Sequence, residues 1–221
     1  MITVITGHYG SGKTTLAVNL AVKYAKEGKK TAIADLDIVN PFFRTADSEE
    51  LFNELNIEMI APFGANTNLE TVYLPASVQK LFNASLGYES VLDIGGDDDG
   101  AIVLGRYAEQ IKASGYKMLC VVSCYRPLTE NPEDAAEMIK SIEKSSKLEI
   151  SGIVNTSSLG EDTTAETILE SLNYAKRVSE LSGKKLVGTA VKKEIFKALT
   201  DEQKSIIGEI FPIEIYTKRF F

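Results

Sequence analysis

Two kinds of apolar pattern alternate along the chain. Short β-branched or apolar runs at 2–6, 31–34, 57–60, 90–94, 117–123, 148–155 and 184–189 read as strands, and helical periodicity fills the stretches between them. Leu16, Leu20 and Tyr24, with Ala17, Ala21 and Ala25 beside them, mark one helix stripe that closes at Lys26-Glu27-Gly28. Further helices are expected over 47–55, 75–86, 101–114, 131–144 and 163–181, with a last short one over 201–208. The fourth of these has Asn131 as its cap and Pro132 at its first position. The run 117–123 shows no polar alternation, which places it in mid-sheet, covered on both faces. Residues 213–216 alternate like an edge strand, and 62–74 form a polar loop rich in turn residues. No internal repeat or low-complexity linker is visible. The alternation predicts an α/β chain, three layers with a mostly parallel sheet and helices on both faces, in a single domain spanning 1–221.

Ligands of such sheets bind at the carboxyl ends of the strands. After the first strand, Gly7-His8-Tyr9-Gly10-Ser11-Gly12-Lys13-Thr14 matches G-x-x-x-x-G-K-[ST], once in the sequence. Such a loop wraps backbone N–H groups around phosphates, puts its lysine on the β and γ phosphates, and leaves a hydroxyl for Mg²⁺. Gly7, Tyr9, Gly10, Ser11, Gly12, Lys13, Thr14 and Thr15 are therefore assigned to nucleotide binding, with a helix N-terminus pointing at the same anion. The fold expected is that of P-loop NTPases.

Asp35, Asp37, Asp93 and Asn155 also fall at strand C-termini, so segments far apart in sequence converge on one edge. An acid ending an apolar strand downstream of a phosphate loop suits Mg²⁺, which makes Thr14 and Asp93 the metal pair. Gly96 then completes Asp-x-x-Gly. Asp35 and Asp37 share a face of an extended strand and can order a water shell around Mg²⁺ and the attacking water. Asp97-Asp98-Asp99 reads as a solvated turn or helix cap rather than a metal site. Arg44 and Arg126 are candidate γ-phosphate or partner contacts by charge alone, a type of residue that is more often an ordinary surface arginine. His8, the only histidine, lies inside the loop, and phosphoryl transfer relies on positioning and charge more than on a base there.

Composition narrows the partners. With 24 Lys+Arg against 31 Asp+Glu the net charge is -7, which argues against holding nucleic acid by counterion release. No basic-then-apolar leader and no apolar run of membrane-spanning length is present, so a cytoplasmic location without membrane association is expected. Cys120 and Cys124 lie in an expected strand, too far apart to bridge, and read as buried apolar residues.

These residues together resemble the MinD/ParA-like ATPases, the CobQ/CobB/MinD/ParA nucleotide-binding domain proteins. The resemblance covers most of the chain and rests on the loop through Thr15, on Asp35-Leu36-Asp37, on Asp93-Ile94-Gly95-Gly96 and on Ile153-Val154-Asn155. It implies ATP and Mg²⁺ as cofactors, with Lys13 and Asp37 as the catalytic residues. Asp37 would orient the hydrolytic water and Asp35 would support the metal's water shell beside Thr14 and Asp93. It further implies that Asn155 pairs with the adenine edge and that Gly188-Thr189-Ala190-Val191 packs along the base, which adds Ala190 and Val191 to the nucleotide site. The signature lysine of that family, five residues before the loop lysine, is replaced here by His8, and Tyr9 follows where the family has glycine. In the resembling proteins that lysine crosses a nucleotide-dependent homodimer. Here the chain dimerises differently, supplies the charge from Arg44 or Arg126, or works as a monomer.

The expected function is thus a Mg²⁺-ATP-binding protein, an ATP hydrolase acting as a nucleotide-dependent switch for a protein partner. The alternatives are a small-molecule kinase or ligase of the dethiobiotin synthetase type, with a substrate near 62–74 and Arg126, and a non-hydrolysing nucleotide-gated module. GTP is disfavoured because Asn155-Thr156-Ser157-Ser158 lacks the Asn-Lys-x-Asp acid that reads guanine.

Overall fold

In the computed structural model, residues 1–36, 46–60, 76–158 and 160–216 are described. The strands are β1 (Ile2–Gly7), β2 (Thr31–Leu36), β3 (Glu58–Ile60), β4 (Glu89–Ile94), β5 (Tyr116–Val122), β6 (Gly152–Asn155), β7 (Leu186–Lys192) and β8 (Ile210–Ile213). They form one eight-stranded sheet in the order β3-β2-β4-β1-β5-β6-β7-β8. Every neighbouring pair is parallel, so the sheet is wholly rather than mostly parallel. β5 lies in mid-sheet between β1 and β6, as its unbroken apolar run requires.

The helices are α1 (Lys13–Lys26), α2 (Ala46–Glu54), α3 (Ala76–Gln79), α4 (Asp97–Gly105), α5 (Ala108–Ala113), α6 (Pro132–Ser146), α7 (Ala165–Ser182), α8 (Lys193–Ala198) and α9 (Asp201–Ile207). Strand alternation divides the core into two layers. Val4, Ala34, Leu36 and Leu92 turn to one face and meet Leu104, Ile139 and Val178 of α4, α6 and α7. Ile5, Ile33, Val91 and Val121 turn to the other and meet Leu16, Leu20 and Phe52 of α1 and α2. The helices that follow adjacent strands β1 and β4 therefore leave to opposite faces, and a crevice opens where they part.

Several elements differ from their periodicity, each for a local reason. The expected helix over 101–114 starts earlier, at the acidic triplet, and breaks after Gly105 into α4 and α5. The stretch 75–86 is helical only through Gln79 and then continues as two 3₁₀ turns. At the second of these, the Asn83 side chain accepts the Ser85 N–H at 3.0 Å and competes with a regular helix. Of 148–155 only β6 joins the sheet. Before it, side chains take the backbone donors: Ser146 Oγ accepts Leu148 N–H, the Tyr116 hydroxyl accepts Glu149 N–H, and Glu143 Oε1 accepts Ile150 N–H. α6 begins at Pro132 as expected, but Asn131 donates to the Asp134 carboxylate at 3.1 Å and makes no side-chain cap bond to the backbone.

The edge strand lies at 210–213, not 213–216. Asn19 of α1 explains the shift. Its amide donates to the Glu214 carbonyl at 2.8 Å and accepts the Glu214 N–H at 2.9 Å, so the chain leaves the ladder for α1. Cys120 is fully buried in β5 and burial pushes its thiol up to about 12, whereas Cys124 lies past the strand end and is half-buried. Both are free thiols. No helix among the described residues is long and apolar enough to cross a membrane. The expected loop 62–74 lies outside the described residues.

Ile139 of α6 sits at 0% exposure in the same core layer as Leu104 of α4, and Ile102 on α4 is 51% exposed. Ile139→Ala is expected to cost about 2–5 kcal/mol in urea unfolding and Ile102→Ala under about 0.5 kcal/mol. Equal losses would contradict this division of the core.

Candidate nucleotide site

β1 ends in a loop bounded by two other strands. Gly12 caps α1 at φ 91°, a left-handed conformation that suits glycine, and so turns the backbone donors of the first helical turn toward the loop's interior. Inside the loop the His8 carbonyl accepts the Ser11 N–H at 3.2 Å, the Ser11 hydroxyl at 2.6 Å and the Lys13 ammonium at 3.0 Å. Lys13 is 6% exposed. An ammonium has three donors, and a phosphate oxygen in the loop would offer it a charged acceptor stronger than this carbonyl.

On the β4 side the Thr14 hydroxyl donates to Asp93 Oδ2 at 2.6 Å. Asp93 stands one residue before the end of β4 and is a register partner of Asp35 on β2, both buried. Two carboxylates on neighbouring strands in a low-dielectric setting favour a cation between them and the hydroxyl. Thr14, Asp93 and Asp35 offer hard oxygen donors of the kind Mg²⁺ takes, so the expected metal set fits the arrangement. Gly96 lies against the loop as well: a Cβ there would stand 2.8 Å from Tyr9 N, so only glycine lets the β4–α4 turn approach this closely. Tyr9 itself is 52% exposed. Asp37 and Arg44 lie outside the described residues, and the triplet 97–99 forms the first turn of α4.

On the β6 side Thr156 reaches the loop. Its hydroxyl lies 2.6 Å from the Ser11 carbonyl and 3.1 Å from the Val122 carbonyl. A cavity of about 170 Å³ opens beside it, lined by Gly10, Gly12 and Thr15 of the loop and α1, Thr156, Ser158 and Thr163 after β6, and Ala190 and Lys192 of β7. Lys192 donates to the Gly160 carbonyl at 2.5 Å across its rim. No Asp or Glu is among the described residues that line it.

Two expected base contacts do not line this cavity. Asn155 is fully buried, with its amide donating to Ser171 Oγ at 2.8 Å and accepting the Ser157 N–H at 3.1 Å. It shapes the turn and leaves the wall to Thr156 and Ser158. Val191 is 1% exposed and packs on Ile168 and Leu172, because neighbours along a strand face opposite ways and Ala190 holds the cavity side. Thr156, Ser158, Thr163 and Lys192 line the cavity and were not among the residues expected from sequence. The available signal was the run of hydroxyl residues directly after a strand end.

The fold and loop define this chain as a P-loop protein of the three-layer α/β class. The family model for the CobQ/CobB/MinD/ParA nucleotide binding domain matches residues 2–204, and the chain belongs to that family. No curated protein sequence matches it. Among solved structures, FtsY from Mycoplasma mycoides aligns at 17% identity and TM-score 0.52 over 86% of this chain and 59% of its own. Signal recognition particle 54 kDa protein from Aeropyrum pernix K1, solved in complex with GDP, aligns at 18% and 0.54 over 85% and 40%. Chloroplast FtsY from Physcomitrella patens aligns at 13% and 0.56 over 85% and 57%. This chain thus spans less than two thirds of these proteins, and the likeness is one of fold.

Asp93→Asn keeps the shape and an acceptor for Thr14 while removing one of two adjacent buried carboxylates. It is expected to abolish the strengthening of nucleotide binding by Mg²⁺ in calorimetric titrations without lowering the melting temperature. A preserved Mg²⁺ effect would remove Asp93 from the site. Thr156→Val, which deletes the hydroxyl beside the Ser11 carbonyl, is expected to cost about 1–2 kcal/mol in stability, measured by denaturant unfolding.

Proposed function

We propose that this chain is a Mg²⁺-dependent ATPase that acts as a nucleotide switch. The observation that carries the reading is the 2.6 Å contact between Thr14 of the loop and Asp93 of β4, beside Lys13. Nucleotide binding follows from the family. The choice of ATP is supported by the cavity: guanine is read best by a carboxylate facing its N–H donors, and the described lining residues are hydroxyl, small and apolar side chains with Arg126 and Lys192.

In this reading Lys13 and the loop amides hold the β and γ phosphates, and Thr14 and Asp93 hold Mg²⁺ with Asp35 behind them. The metal, when bound, neutralises charge on the phosphate oxygens. Asp37 orients a water in line with the γ phosphorus. Water's oxygen bonds to that phosphorus as the bridge to ADP breaks, and the products are ADP, inorganic phosphate and a proton. The segment that follows Gly96 into α4 abuts the loop at Tyr9, so γ-phosphate contacts there have a short path to a surface helix. A protein partner, or a small-molecule substrate in the kinase-like alternative, would read that helix.

Lys13→Ala is expected to reduce ATP affinity and ADP release at least tenfold, and ATP is expected to outcompete GTP in displacement of a fluorescent nucleotide. Unchanged turnover in Lys13→Ala would move the site elsewhere. Preference for GTP would overturn the base assignment alone.

A further inference from the structure

The β5–α6 connection holds a feature the reading above leaves unused. Residues 126–129 form a β-turn closed by the Thr129 N–H on the Arg126 carbonyl at 3.2 Å, with Pro127 and Leu128 at its centre. Leu128 adopts φ 69°, where glycine is usual, and is 73% exposed. Its own side chain therefore does not account for the turn. The turn is held from below instead. Thr129 is 2% exposed, its hydroxyl donates to the Ser123 carbonyl at 3.2 Å, and the Tyr174 hydroxyl of α7 donates to the Thr129 carbonyl.

This bracing fixes where Arg126 stands. Its side chain lies over the phosphate loop: a Cβ built on Gly10 would be 3.7 Å from Nε and 3.9 Å from both Cδ and Cζ. The same arginine lines the cavity together with Gly10, Ser11 and Gly12. It is exposed, and the described residues provide it with no ion-pair partner.

We propose that Arg126 is a phosphate-binding residue acting within its own chain, its guanidinium closing over the polyphosphate of a nucleoside di- or triphosphate from the side opposite Lys13. It supplies the cation that His8 does not. A planar fork of donors suits two phosphate oxygens at once, and a site open to solvent at that point lets the guanidinium engage as the anion arrives. The proposal rests on the nucleotide reading above and goes further: a second charge is provided without a second subunit.

The test is equilibrium binding of ADP, ATP and adenosine to the full chain and to Arg126→Ala, Arg126→Lys and Lys13→Ala, with melting temperatures for each. Arg126→Ala is expected to weaken ADP and ATP by about 10- to 100-fold and to leave adenosine binding and the melting temperature unchanged. Arg126→Lys is expected to recover part of the loss. Mixing Arg126→Ala with Lys13→Ala is expected to restore no ATP turnover, because both residues serve the same site in one chain. Unchanged ATP affinity in Arg126→Ala, with the wild type binding and Lys13→Ala not, would overturn this proposal and leave the nucleotide reading standing. Equal weakening of adenosine would overturn the phosphate assignment, and activity regained on mixing would overturn action in cis. A wild-type chain that binds no nucleotide would end both.

Discussion

The site depends on one hydrogen bond, from the Thr14 hydroxyl to Asp93. It joins the first turn of α1, which packs on one face of the sheet, to the end of β4, whose following helix α4 packs on the other. Because β1 and β4 are adjacent while their helices diverge, the loop would otherwise sit at the mouth of a crevice with support from one side. A second latch, Thr156 on the Ser11 carbonyl, holds it from β6. These two ties hold the loop from both sides, at Thr14 and at Ser11. The same bond gathers a hydroxyl, two carboxylates and Lys13 into a space where water is scarce and charges act strongly.

Much of this was legible in the sequence, and the residues show why. Gly7 through Thr15, Asp35, Asp93 and Gly96 are dictated by local chemistry: the tight turn, the close backbone approach and the strand-ending acid each restrict the residue type at one position. The α/β alternation was readable because parallel strands buried on both faces differ in composition from amphipathic helices. Element ends were less so. The limits of β6 and β8 are set by Glu143, Ser146, Tyr116 and Asn19, whose side chains capture backbone groups outside their own elements. Such captures leave no periodic trace.

The cavity beside the loop was the least legible part. Asn155 and Val191 came from likeness to a family, and tertiary packing sends both side chains inward, onto Ser171 and onto Ile168. Their neighbours Thr156 and Ala190 face the cavity instead. A strand's period of two decides which of two neighbouring residues faces the cavity. The signal recognition proteins that share this fold show that the scaffold is common to chains of under 20% identity. Fold alone therefore says little about the base, and the lining residues must decide it.

The central claim is that Thr14 and Asp93 form a metal-centred junction under the phosphates. A crystal structure with a non-hydrolysable ATP analogue and Mg²⁺ tests it most directly. The account predicts phosphates cradled by residues 10–15, the metal seated between the Thr14 hydroxyl and the Asp93 carboxylate directly or through one water, and the base between Thr156–Thr163 and β7. A nucleotide bound away from this loop, or a metal whose ligands exclude both Thr14 and Asp93, would contradict it.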